Sequence, residues 1–176
     1  MATPTDVGFV EMRLAKVVSL AVSPDEDPSC FIVLDGVAQD RQLPIEIGPV
    51  EGFTLAAALT GFELARPMGP QFAAGLLRAS GGRVRQVRID RLIAAFGGTA
   101  YGATVEVEGP SGVEAVDSRP SDALNLLALV PAPVFVAPEV LAEIQARMEG
   151  DSPQANLLRR AVECEQMTVG QRPADR

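Results

Sequence analysis

Chemistry in this chain must be done by carboxylates and guanidinium groups, because its 176 residues include no histidine and a single lysine, Lys16. Two stretches bring such groups to places where helices begin. The first, Leu43-Pro44-Ile45-Glu46-Ile47-Gly48-Pro49-Val50-Glu51-Gly52, reads as a strand running straight into a helix, with Glu51 in the first turn. The second, Asp117-Ser118-Arg119-Pro120-Ser121-Asp122, precedes an apolar helical stripe. Backbone N–H groups at that second start, with Arg119 beside them, can hold a phosphate. Asp117 and Asp122 can instead hold a divalent cation that bridges to a phosphate. Each start also has a plain structural account. Glu51 offsets the positive end of its helix, a contribution of about 0.3–1 kcal/mol; Ser118 caps the other helix, Asp122 complements its dipole, and Arg119 pairs with a carboxylate. Two acid-bearing helix starts, each near the C-terminal end of a strand, favour a shared site over either one acting alone.

Other nucleophiles fit less well. Ser121 has no histidine to activate it, and Cys30 falls inside an apolar run where a thiol usually fills core. Cys30 and Cys164 are far apart and lack C-x-x-C spacing, which argues against zinc or a redox pair.

The elements that must position these groups follow from periodicity. Phe9 to Val22 alternates as a long strand, and Asp25-Glu26-Asp27-Pro28 is a turn cluster. Cys30 to Leu34 is a short buried strand, with Arg41 to Ile47 as its partner. Gly48-Pro49 opens a helix that Gly61 ends, and a second helix runs from about Gln71 to Ala79, stopping at Gly81-Gly82. Val87, Ile89 and Ile93 mark one strand. Tyr101, Ala103, Val105 and Val107 mark the next, with Glu106 and Glu108 on its solvated face. Gly97-Gly98 and Gly109-Pro110-Ser111-Gly112 are the hairpin connections, and Val113 to Val116 is a short strand. Ser118 is the expected N-cap of a helix with Leu124, Leu127 and Ala128 on its buried stripe. Pro133 to Val136 is a buried strand. Pro138 starts a helix burying Leu141, Ile144 and Met148, and a weak last helix spans Gln154 to Glu165. The order β-β-β-α-α-β-β-β-α-β-α predicts a single mixed α/β (α+β) domain: a mixed, largely antiparallel sheet surrounded by about four helices. Residues 1–8 are expected as a flexible N-terminus, 9–149 as the domain, and 150–176 as a C-terminal tail.

Composition sets further bounds. The apolar fraction of 47% is that of a globular chain, while aromatics are only 5%. The net charge of −8 repels polyanions at long range and rules out a broad basic footprint, although not a local arginine-lined or metal-bridged site. Leu124 to Ala137 is broken by Asn125, Pro131 and Pro133 and falls short of the roughly 20 apolar residues of a membrane helix. Met1 to Asp6 has no signal-peptide pattern, so a cytoplasmic protein is expected.

Several of these residues together resemble a known family. Leu43-Pro44-Ile45-x-Ile47-Gly48-x-x-Glu51-Gly52, then Arg66-Pro67, then Asp117-Ser118-Arg119-Pro120-Ser121-Asp122-Ala123, then Ala132-Pro133-Val134-Phe135-Val136 resembles the bifunctional nuclease (BFN, DUF151) domain family, from about Val10 to Glu143. The resemblance implies a mixed α/β domain that often self-associates, with RNA or DNA as substrate and phosphodiester hydrolysis as the reaction. Without histidine, hydrolysis leaves a metal-bound hydroxide or a carboxylate base. The expected machinery is Glu51, Asp117 and Asp122 as ligands of Mg²⁺ or Mn²⁺, Arg66 and Arg119 clamping the phosphate, and Ser121 orienting it.

This chain departs from the family at two places. The family's Thr-His-Asp-Leu after Arg-Pro gives way to Met68-Gly69-Pro70-Gln71-Phe72, and Glu46 replaces a tryptophan. The missing His-Asp pair supports an alternative: a catalytically silent module that associates with itself or with a regulatory partner. Alanine- and valine-rich elements that leave apolar faces uncovered favour the same reading.

Overall fold

The computed structural model describes residues 8–20, 28–38, 40–95 and 98–164. Its elements are β1 (Val10–Leu20), β2 (Ser29–Gly36), β3 (Gln42–Ile47), α1 (Pro49–Thr60), α2 (Gly69–Ala79), β4 (Arg83–Ala95), β5 (Gly98–Gly109), β6 (Gly112–Ser118), α3 (Pro120–Leu127), β7 (Val134–Val136), α4 (Pro138–Glu149) and α5 (Pro153–Glu163). The order is the expected one, and the weak last helix is a fifth regular helix. Val22, the turn at Asp25-Glu26-Asp27, Gly97 and the end of the tail lie outside the described residues. No helix among those described is long and apolar enough to cross a membrane.

All seven strands form one mixed sheet in the order β3-β2-β1-β7-β4-β5-β6. Only the β4–β7 pair is parallel. The main core lies on the face covered by α1, α3 and α4, where Leu55, Leu124 and Ile144 meet Ile32, Ile45, Val87 and Ile89. A second cluster sits on the opposite face of β1 and β2, where Leu157, Leu158 and Ala161 of α5 pack on Val18, Phe31 and Val33. β2 is therefore covered on both faces, which is why Cys30 to Leu34 is uniformly apolar instead of alternating.

Two devices set the helices over the sheet. Gly52 lets α1 lie against β2, since a Cβ there would come within 3.0 Å of Cys30. β1 bulges between Leu14 and Lys16. Just past the bulge, Lys16 donates from Nζ to the carbonyls of Val162 (2.5 Å) and Cys164 (2.5 Å), so the lone lysine satisfies orphan acceptors at the C-terminus of α5.

Away from the helices, β4 and β5 carry the charged face expected from Glu106 and Glu108. Arg88 Nη1 pairs with Glu106 at 3.1 Å, and Arg83 Nη2 with Glu108 at 2.8 Å.

Candidate functional site

The site begins with two helix starts that have no side-chain cap. In α1 the N-cap is Gly48, with Pro49 in the first turn and Glu51 following it. In α3 the N-cap is Arg119, with Pro120 and Asp122 in the first turn. This corrects the assignment of Ser118 as the cap. Proline at the first helical position makes its predecessor the N-cap, so Ser118 stays in β6 and donates from Oγ to the carbonyl of Arg119 at 3.0 Å.

The two starts meet through Arg119. Its Nε donates to Asp122 Oδ2 at 2.7 Å and its Nη2 to Asp122 Oδ1 at 2.9 Å, a forked pairing within one turn. The same Nη2 donates to Glu51 Oε1 at 3.0 Å. The hydrogen bond and charge of Asp122, followed by those of Glu51, raise the pKa of the guanidinium above its ordinary value. Arg119 and Asp122 are exposed while Glu51 is better covered, so the triad opens to solvent from the Arg119 side.

Gly48 contributes by lacking a side chain: a Cβ there would lie 2.3 Å from Glu51 Oε2. The Glu51 carboxylate thus folds over the glycine on its way to Arg119.

Behind the triad stands Asn125, only 1% exposed. Its Nδ2 donates to the Glu51 carbonyl at 3.2 Å and to the Ser121 carbonyl at 3.0 Å, so one amide joins α1 to α3. Sequence reasoning noted Asn125 only as an interruption of an apolar stretch. The signal was available: it is a lone amide one turn after Ser121 on a buried stripe, where a polar side chain must have a partner.

The other expected residues are distributed differently. Ser121 is 8% exposed, lies at the same helix start, and its hydroxyl has no hydrogen-bond partner among the described residues. Asp117 is turned to Arg91, whose Nη2 reaches its Oδ1 at 2.5 Å. That geometry depends on Gly102, over which the Arg91 guanidinium lies; a Cβ at 102 would be 2.8 Å from Arg91 Nε. Arg66 is exposed in the connection between α1 and α2 and makes no ion pair among the described residues. The fold therefore joins Glu51, Arg119 and Asp122 by hydrogen bonds with Ser121 in the same first turn, while Asp117 is engaged by Arg91 and Arg66 makes no ion pair among the described residues. Among the described residues, no three Asp, Glu, Cys or His side chains form a metal-binding group.

Arg119 of the triad lines a cleft of about 840 Å³, walled by the end of β3, the beginning of β5, the start of α3, the last turns of α4 and the start of α5. Its lining includes Glu46, Tyr101, Arg119, Ser121 and Arg147. Glu46 accepts hydrogen bonds from Ser29 Oγ at 2.9 Å and from Gln154 Nε2 of α5.

Two comparisons bear on the family of the chain. The chain is similar to the uncharacterized proteins MT1877 and Rv1829 of Mycobacterium tuberculosis (strains CDC 1551 / Oshkosh and ATCC 25618 / H37Rv). It is 31% identical to each over 133 residues, which is 75% of this chain and 76% of each relative. The family profile described as "Bifunctional nuclease domain" matches residues 32–149, a span that contains both helix starts, Asn125 and all of the triad. The chain belongs to the bifunctional nuclease domain family.

Proposed function

We propose that this domain binds and hydrolyses phosphodiester bonds of RNA or DNA at the Glu51–Arg119–Asp122 triad. One observation carries the reading: a single exposed guanidinium is shared by two carboxylates from separate helix starts. A phosphate presents the same planar pair of acceptors as a carboxylate and competes for Arg119. Once it takes the guanidinium, Glu51 and Asp122 are left beside the bound phosphate without their counter-ion. Either can then accept a proton from an attacking water. Two carboxylates converging on one point are hard oxygen donors of the kind Mg²⁺ or Mn²⁺ takes together with substrate phosphate and water. A cation held by Glu51 and Asp122 would supply charge neutralisation and a more acidic water. Asp117 could join only by leaving Arg91.

The test is cleavage of end-labelled RNA and DNA by purified protein, with and without Mn²⁺. Activity well above that of Asp122→Ala is expected. Equal activity in the two proteins would end the proposal.

A specific observation favours the second reading, self-association of a silent module. Val50, Phe53, Phe62, Phe72 and Leu76, on α1, the turn after it and α2, are all more than half exposed. Residues 52–62 and 67–77 contain no charged side chain. On a chain of net charge −8, such a surface suits a second copy, because it lets two like-charged molecules meet without opposing charges. The five side chains offer on the order of 500 Å² per copy, close to the minimum of a specific dimer. Sedimentation should show a dimer or larger species that Phe53→Ser with Phe72→Ser dissociates. A strict monomer at micromolar concentration would exclude this reading.

A further inference from the structure

We infer that the cleft beside the triad is a nucleotide subsite, which takes the phosphate of a nucleoside monophosphate at the α3 start and its base and sugar along the apolar wall. The inference rests on the phosphate reading of Arg119 and extends it to the neighbouring cleft, whose far wall no step of the proposed hydrolysis uses.

Three helix N-caps, Gly48 of α1, Arg119 of α3 and Ser152 of α5, line the same cleft. Ser152 caps its own helix by accepting from the Ala155 N–H at 3.1 Å. The α1 and α3 starts have no such cap. Gly48 and Arg119, with Pro120 and Ser121 of the first turn of α3, thus line a space large enough for a ligand at the positive ends of both dipoles. Between them lies Ser121, a residue only 8% exposed that lines the cleft and whose hydroxyl has no protein partner among the described residues. The Ser121 oxygen is not among the sealed, unpartnered atoms of the described residues, so from the cleft wall it can donate to a phosphate oxygen.

The opposite wall holds a second cation. Arg147 is fixed by Nε donating to Glu143 at 3.0 Å and Nη2 donating to the Thr99 carbonyl at 2.8 Å. Its guanidinium lies over the Tyr101 ring, 5.2 Å from the centroid. Fixed in place, it presents a flat cationic surface suited to a base. Ala100, Tyr101 and Ala146, with the edges of the largely buried Ile47 and Leu158, supply apolar lining for the uncharged body of the ligand. Glu46 also lines the cleft, but its carboxylate is engaged by Ser29 and Gln154. An anionic head with a flat, less polar body matches this combination; a bare anion would leave the apolar wall unused.

The experiment is an NMR titration of the full chain with AMP and, separately, with inorganic phosphate, without metal. AMP should shift the amides of Val50, Glu51, Ser121 and Asp122 and bind more tightly than phosphate. Ser121→Ala should weaken AMP about tenfold or more, as expected for one hydrogen bond to a charged acceptor, and Arg147→Gln about fivefold, as expected for a lost cationic stacking surface. Arg83→Ala, on the far end of β4, should leave binding unchanged. AMP that binds no more tightly than phosphate, that shifts amides elsewhere, or that ignores both cleft variants overturns the inference. Binding without any cleavage of RNA or DNA would support the subsite while removing the hydrolytic proposal; cleavage without AMP binding would do the reverse.

Discussion

Arg119 holds the Glu51 carboxylate at 3.0 Å across 68 positions of sequence. It does so from a largely exposed position, where an ion pair contributes only about 0–1 kcal/mol. Arg119→Ala should therefore shift the urea midpoint very little while abolishing cleavage and AMP binding. Arg119→Lys keeps the charge and loses the fork, and it should restore little of either. A large loss of stability in Arg119→Ala would make the triad a structural clamp instead of a phosphate site.

Gly48 gives a way to move Glu51 without removing it. Gly48 has φ −67° and ψ 156°, which any residue adopts, so Gly48→Ala introduces no backbone strain. The new methyl would occupy the space of Glu51 Oε2 and turn that carboxylate away from Arg119. Alanine is also a poorer N-cap than glycine, so a loss of about 1 kcal/mol or less is expected. Activity of Gly48→Ala should fall toward that of Glu51→Gln. Full activity in Gly48→Ala would show that the position of Glu51 is irrelevant to the reaction.

Asn125 is the strut on which the convergence of α1 and α3 depends. Removing it in Asn125→Ala deletes a buried hydrogen bond to the Ser121 carbonyl and a partly buried one to the Glu51 carbonyl, and opens a small cavity. Its Oδ1 has no partner among the described residues, so the gain from the amide is smaller than its burial suggests. A destabilisation of about 1–3 kcal/mol is expected by denaturant titration, together with loss of activity larger than stability alone explains. A neutral effect on both would show that α1 and α3 are aligned by apolar packing only.

Most of the fold was legible in the sequence because its elements are bounded by residues with strong local preferences. Pro49, Pro70, Pro120, Pro138 and Pro153 all stand in the first turn of a helix. Gly61 closes α1 in the left-handed conformation at φ 70°. The alternation in β5 and the unbroken apolar run in β2 report one-sided and two-sided burial. The site was legible only in part. Glu51, Arg119 and Asp122 are marked by type and by their place at helix starts, which local sequence reveals. The partner of Asp117 is Arg91, two strands away, and it depends on the missing side chain of Gly102. Asn125 and Arg147 act through backbone carbonyls of distant segments. No local pattern encodes such contacts, because sheet order and register create them.

Lys16 tests whether α5 belongs to the domain in solution. Its Nζ bonds two carbonyls at the end of α5, and the helix buries Leu157, Leu158 and Ala161 on β1 and β2. Lys16→Met keeps most of the apolar stem and removes the donor. Loss of the cap should cost about 1–2 kcal/mol and reduce hydrogen-exchange protection over Arg160 to Cys164 ahead of the rest of the chain. Unchanged protection there would mean that the apolar face of α5 suffices to hold it.

Tyr101 is the only tyrosine, in a chain with no tryptophan, so its ionisation can be followed optically without interference. Burial raises the phenol above its ordinary value of 10.0, with Arg147 pulling the other way. The unfolded chain therefore gives up this proton before the folded one does. The Tyr101 contribution is complete below about pH 10 and is lost as the pH rises through the higher folded-state value. Phenylalanine at this position cannot ionise, and it also removes a buried hydroxyl that has no hydrogen-bond partner among the described residues. Tyr101→Phe should match or slightly exceed wild-type stability at neutral pH, by up to about 1 kcal/mol, with the gap widening in its favour above pH 10. A variant clearly weaker at neutral pH would place a partner, such as a bound water, on that hydroxyl. A gap that does not widen with alkali would show that the phenol is solvated in the folded state.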